Sequence, residues 1–340
     1  MLRRPSIGGS RGAFRRAAAA SPPGGVSSPP AAGDVLELKI ERLAFPDGQG
    51  VARAENGMVI LVQQGEYRPG RGGAGGWEPQ GRSIVHPYRR VCLRAGDSVA
   101  ALPGATVRAK VGKVGARSVE AVAVEQVVPP EDSVAPPCPH ASHCSGCALQ
   151  SLEYERQLQL KEGHVVESLV RIGGFSREEV QTSLRAMIRS PQQLGYRNKT
   201  SFSWGPKVFD PARGKLSSAT SALGLYRRGS ADVVLPIDQC LLQDDTSNLI
   251  LAAAREAAEE LGLRAWSAKG PDAGANGAIL RYLRIRRGTK EPGGKPQYMV
   301  HLETARPPAK EGKAAKGKVS ELAAKLVAAF PGVVTSVVHT

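Results

Sequence analysis

The chain has 340 residues, of which 41% are hydrophobic and 23% charged, and its formal net charge is +15. That length gives room for two or three domains with ordinary cores, and no apolar run is long enough to suggest a membrane span. A basic surplus of this size points to a polyanionic partner, with nucleic acid the first candidate, against the plainer reading of a generically basic protein.

Residues 1–34 read as a leader. They carry Arg3, Arg4, Arg11, Arg15 and Arg16 among Ala, Ser, Pro and Gly, and the first acidic residue is Asp34. This is the composition of an organelle transit peptide, and it lacks the compact apolar core of a secretory signal. A chloroplast or mitochondrial address is expected, chloroplast preferred; a disordered basic tail is the alternative. From Val35 the pattern changes. VLELKIERL alternates apolar and polar residues as a half-buried strand does. The following stretch gives two short strands with turns at Pro46-Asp47-Gly48 and Asn56-Gly57. Strand patterning returns in ALPGATVRAKVGKV and SVEAVAVEQVV. The span 35–128 is therefore predicted to be a small five-stranded barrel. It carries an insertion at 63–100, rich in Gly and Arg, that holds Cys92. Loops of that length without structure are uncommon inside a compact domain.

The next landmark is Cys138-Pro-His-Ala-Ser-His-Cys144-Ser-Gly-Cys147, with Cys240 far downstream. The C-x-x-C step lets two sulfurs face one ion, and the longer arm brings a third alongside. A distant fourth would complete a Cys₄ set, as used by structural zinc and by iron–sulfur clusters. His140 and His143 offer substitutes for a sulfur. Disulfides fit poorly with an odd cysteine count and no secretory signal, and unligated core cysteines are a further alternative. Spacing alone does not choose between zinc and iron–sulfur.

Behind this loop an amphipathic helix is predicted through 148–172, with Leu149, Leu152, Leu158, Val165 and Leu169 near helical spacing and Gly173-Gly174 as its stop. Strands are expected around 182–189, 197–204, 222–227 and 231–236, then a helix at 243–262. Further strands follow at 279–287 and 297–304, a helix at 317–329 and a last strand at 332–338. The span 129–340 is thus mixed α+β rather than a regular βαβ alternation.

Together these landmarks resemble the RNA uracil-carbon-5 methyltransferases of the RumA/TrmA type. The match rests on the cysteine loop leading into a helix, on LGYRNKTSFSW at 194–204, and on LGLYRRGSADVVLPIDQC at 223–240. ILRYLRIRRG at 279–288 and the terminal GVVTSVVH are weaker echoes. The resemblance implies an N-terminal TRAM domain, an OB-like RNA-binding barrel, at 35–128. It also implies a [4Fe–4S] cluster on Cys138, Cys144, Cys147 and Cys240, with zinc as the alternative. RNA, ribosomal or transfer, is the implied partner, with no membrane and a monomeric state. Arg197 and Lys199 would share one strand face. With Tyr196, Arg227, Arg228 and Arg284 they are candidate RNA contacts, and Arg286 and Arg287 add cations nearby. For any one of these, a solvated edge-strand charge is the bland alternative.

Members of the family methylate uracil with a cysteine nucleophile, a carboxylate base and S-adenosylmethionine bound in a Rossmann-like domain. No cysteine follows Cys240, and no strand here runs into a Gly-rich turn and helix. The reading therefore expects the RNA-handling and cluster parts of such an enzyme without its methyltransferase domain, with no catalytic residue and no activity alone. S-adenosylmethionine is then a cofactor of the full-length family only. The competing class is a stand-alone RNA-binding iron–sulfur or zinc protein that does no chemistry.

Overall fold

The computed structural model describes residues 29–44, 49–66, 98–116, 118–267, 278–289, 293–305 and 312–340. Most of the leader, most of the 63–100 insertion and Cys92 lie outside the described residues.

The first unit contains β1 (Val35–Lys39), β2 (Arg42–Ala44), β3 (Gln49–Arg53), β4 (Val59–Gln63), β5 (Gly65–Glu66), β6 (Ser98–Val99), β7 (Thr106–Val114) and β8 (Ser118–Val128). Six of these form one sheet in the order β1-β7-β8-β4-β3-β2, with β4 and β8 parallel and the other pairs antiparallel. Strands β1 and β2 are consecutive in the chain. Between them Ile40 donates its backbone N–H to Ala105 and Glu41 donates to Val51. They are two halves of one bent strand, so the first and last ladders meet and the sheet curls round on itself as the five predicted strands. The period-2 pattern explains its interior. Val107, Ala109 and Val111 alternate inward on β7, as do Val119, Ala121 and Ala123 on β8, where they meet Leu38, Ile40, Ile60 and Val62. Gly50 is required by close approach, since a Cβ there would sit 2.7 Å from the Ala101 carbonyl.

The second unit contains α1 (Tyr154–Arg171), α2 (Arg177–Ser183), β9 (Lys199–Asp210), β10 (Lys215–Tyr226), β11 (Val234–Pro236), α3 (Asp245–Glu260), β12 (Arg264–Ala265), β13 (Ala278–Gly288), β14 (Gln297–Thr304), α4 (Gly312–Ala329) and β15 (Val334–His339). Its sheet runs β10-β11-β9-β13-β14-β15, with β12 beside β13. On α3, Ile250, Leu251, Ala254, Ala257 and Ala258 repeat at helical spacing, and on α4 Ala315, Val319, Leu322 and Leu326 do the same. Both stripes join one core with Phe202, Leu283, Ile285, Val300 and Leu302 of the sheet, so the helices cover a single sheet face.

Three expectations are corrected. Residues 182–189 form no strand. The capping box of Ser176 and Glu179 instead starts α2 at Arg177, and the chain from Leu184 to Asn198 is irregular. Strands β9 and β10 run well beyond the predicted 197–204 and 222–227. Helix α1 forms, but Val165 and Leu169 of its expected apolar stripe are exposed and Val166 is its buried residue.

Candidate cluster site and nucleic-acid face

The cysteine loop lies along the end of β10. Cys144 bridges Arg227 in antiparallel fashion, Ser145 donates to the Tyr226 carbonyl at 3.2 Å, and Arg228 donates its backbone N–H to His143 at 2.7 Å. Within the loop, Cys144 and His143 both donate to the His140 carbonyl and Ala141 donates to Cys138. The Arg228 side chain clasps the loop from inside. Its Nη2 lies 3.0, 3.0 and 2.9 Å from the carbonyl oxygens of Ala141, Cys144 and Cys147.

Cys240 arrives from the other side. Its backbone is held by Asn248 at the start of α3, whose Oδ1 accepts from Cys240 N at 2.9 Å and from Gln243 Nε2 at 2.7 Å. Asp244 caps the same helix by accepting from Ser247 N. The 194–198 segment is stitched alongside, with Gly195 donating to Leu241 and Arg197 to Leu242. Gly224 makes this convergence possible. A Cβ there would fall 1.9 Å from the Leu235 carbonyl, so any larger residue would push β11 and the Cys240 segment away from β10.

The four cysteines are free thiols, Cys144 and Cys240 buried, Cys138 and Cys147 half-buried. Burial pushes the Cys147 thiol up to about 11, with the charge of Cys144 adding, Arg197 opposing, and Cys240 and Cys138 adding further. Burial likewise raises Cys144, with Cys240 and Cys138 contributing after the opposing Gly146 N–H, and burial raises Cys138, with Cys240 contributing. Cys147 therefore feels the charge of the other three sulfurs, Cys144 that of Cys240 and Cys138, and Cys138 that of Cys240, which places the four in one neighbourhood. Two N–H groups already point at sulfur, Gly146 N at Cys144 Sγ and Gln150 Nε2 at Cys147 Sγ, both at 3.3 Å. Against this, no group of three or more His, Cys, Asp or Glu among the described residues is arranged to hold a metal ion as it stands. The thiols share a neighbourhood without forming a closed cage. Of the histidines offered as substitutes, His143 is buried and tilted against Phe209, with ring centroids 5.1 Å apart.

The uncovered face of the large sheet is polar and basic. Register places Lys199 beside Arg286 and Arg286 beside Met299; the next row is Ser201, Arg284 and His301, and the next Ser203, Tyr282 and Glu303. Arg281 lies over Trp266 and Tyr282, and Arg284 over Tyr282, at 5.0, 5.4 and 5.3 Å. An open cleft lined by Arg286, Arg287, Gln297, Tyr298 and Met299 ends this face.

The six candidate RNA contacts separate accordingly. Tyr196 and Lys199 are exposed. Arg284 is half-buried and paired with Glu303. Arg227 lies 4.1 Å over Phe209, Arg197 stands near Cys147, and Arg228 Nη2 is bonded to the loop. Tyr282, Arg281 and His301 belong to the polar face and were missed, although the alternation in RYLRIRRG would have put Tyr282, Arg284 and Arg286 together.

No protein-family model matches the chain. Its curated relatives are proteins named RNA methyltransferases. An uncharacterized RNA methyltransferase of Chlorobaculum tepidum is 34% identical over 209 residues, 60% of this chain and 40% of that protein. Another, of Nitratidesulfovibrio vulgaris, is 30% identical over 281 residues, 83% of this chain and 47% of that protein. A 23S rRNA (uracil(1939)-C(5))-methyltransferase of Alkalilimnicola ehrlichii is 39% identical over 124 residues, 36% of this chain and 26% of that protein. The chain spans less than half the length of each of these relatives.

Proposed function

We propose that the chain serves RNA uracil-carbon-5 methylation, with the four cysteines holding a [4Fe–4S] cluster and the barrel, read as a TRAM domain, and the polar sheet face engaging RNA. The observation that carries this is the gathering of Cys138, Cys144, Cys147 and Cys240 on two segments 93 residues apart, in a chain whose relatives are named RNA methyltransferases. An all-sulfur donor set suits iron–sulfur or zinc. Likeness to the iron–sulfur branch of the uracil methyltransferases favours the cluster. Arg228 and Arg197 beside the thiols fit a site that carries net negative charge. S-adenosylmethionine would supply the methyl group, and no residue described here is assigned to it.

On the sheet face, Lys199 and Arg286 supply phosphate contacts, and Tyr282 with its flanking arginines supplies a surface on which a base stacks. The small barrel adds a second nucleic-acid surface. Residues 1–34 are read as an organelle address, chloroplast before mitochondrion. The test is genetic and chemical. Disrupting the gene and digesting ribosomal and transfer RNA to nucleosides should remove 5-methyluridine from one of the two pools. Unchanged 5-methyluridine in both would overturn the reading.

A further inference from the structure

We propose that Arg228 is a positioning residue that preforms the cysteine loop before any metal arrives and keeps one N–H in reserve for the anionic group the loop binds. The second half of this rests on the reading of the quartet as cluster ligands; the first does not.

One guanidinium nitrogen serves three carbonyls, those of Ala141, Cys144 and Cys147, while the same residue's backbone N–H serves His143. Four peptide groups in the stretch 141–147 are thus referred to a single residue at the end of β10. The loop's own bonds are turn-like, joining Ala141 to Cys138 and both His143 and Cys144 to His140, and Ser145 adds one bond to the Tyr226 carbonyl at the end of β10, so the carbonyls of Ala141, His143, Cys144 and Cys147 rest on Arg228. Hydrogen bonds from a charged donor are among the stronger ones, and a buried cation left without them is costly. The clasp therefore fixes where Cys144 and Cys147 stand relative to β10, which in turn carries the chain toward Cys240. Gly229, with φ of 73°, turns the chain directly after it.

The second observation concerns the rest of the same side chain. Arg228 Nε is buried and has no hydrogen-bond partner. A buried N–H without an acceptor is rare and calls for an explanation. Cys144 and Cys147 are the charged groups that bear on this guanidinium. A buried N–H on a guanidinium that feels the charge of two thiols, satisfied by neither backbone nor side chain, is suited to thiolate or sulfide, the acceptors an iron–sulfur cluster would bring. Hydrogen bonds to cluster sulfurs are one means by which a protein sets cluster stability and potential. Arg227 next to it stacks on Phe209.

The test uses the full chain in two states. In metal-free protein, alkylation of each cysteine is followed peptide by peptide by mass spectrometry for wild type, Arg228→Met and Arg228→Lys. Arg228→Met should accelerate Cys144 and Cys147 on the order of tenfold while leaving Cys240, held by Asn248, within twofold. Arg228→Lys keeps the charge but not the planar fork, and should accelerate the same two cysteines by a smaller factor. Unchanged rates in both variants would overturn the clasp. If Arg228→Met unfolds and accelerates every cysteine, Arg228→Lys decides, and wild-type rates there would overturn it equally. After anaerobic reconstitution with iron and sulfide, the visible absorbance of both variants should decay in air several times faster than that of wild type, and equal decay would overturn the reserved donor. Wild type that takes up no iron would defeat the cluster reading and the reserved donor with it, while the alkylation result still decides the clasp.

Discussion

The barrel and the cysteine-bearing sheet are both β structures, yet their interiors are built differently. The barrel core is aliphatic, with Leu38, Ile40, Ile60 and Val62 meeting small inward residues of β7 and β8. Among the described residues, every buried polar or charged side chain lies in the second unit: His143, Thr200, Ser203, Gln243, Ser247 and Asn248. Four of these cluster on the segments that carry the cysteines. Burying polar groups is costly unless they are paired, and here the pairing serves to hold a loop and the start of a helix so that four thiols meet. The first unit is organised to support itself, the second to present a site.

The largest effect expected from this contrast is at Cys240. Cys240→Ser should abolish metal binding and lower the stability of the second unit by several kcal/mol, since a ligand bound only by the folded state adds its binding energy to folding. Metal content and differential scanning calorimetry check this, and the barrel transition should not move. The reciprocal substitution, Ile60→Ala, should cost about 2–5 kcal/mol in the barrel through cavity formation and leave metal content at the wild-type level. A barrel mutation that released the metal would show that the two units are not independent.

Asp244 gives a smaller, pH-dependent effect. Burial works to raise its carboxyl, but hydrogen bonds from Tyr298 and Ser247 and the charge of Arg287 hold it below the usual carboxylate range. A depressed pKa adds stability above the ordinary value of about 4 and loses it as pH falls through the folded value. Asp244→Asn should therefore cost roughly 0.5–1 kcal/mol at neutral pH, with the gap to wild type closing in acid. Denaturant titration at several pH values measures it. An effect of similar size falls on the polar sheet face, where Lys199→Gln or Arg286→Gln should weaken RNA binding by about 1 kcal/mol and reduce the slope of log K against log salt by about 1. Fluorescence anisotropy across a salt series reads both numbers.

Much of this was legible in the sequence, for stated reasons. Alternation in β7 and β8 has the period of a half-buried strand, and both strands form, while the cysteine spacing is what nominates the candidate ligand set. The strand expected at 182–189 failed because alternation needs a paired neighbour, and none pairs with these residues; Ile188 is 93% exposed. The strand expected at 197–204 continues as β9 through Gly205-Pro206 to Asp210. A Cβ at Gly205 would fall 2.6 Å from Val234 Cγ2, so the glycine marks the close approach of β11. The outer half of β10, Lys215–Thr220, is exposed throughout, including Leu216, so it lacks the buried alternate positions that mark a strand in sequence. The different fates of Arg227 and Arg228 were not legible, because both follow the end of β10, where the chain turns, and nothing local says which meets the loop.

The proposed four-iron cluster on Cys138, Cys144, Cys147 and Cys240 gives the protein a defined iron and sulfide content. Anaerobic purification followed by iron, zinc and acid-labile sulfide analysis tests it directly. The account predicts a brown protein with about four irons and about four sulfides per chain, both lost in Cys240→Ser. A colourless protein with one zinc and no labile sulfide would contradict it.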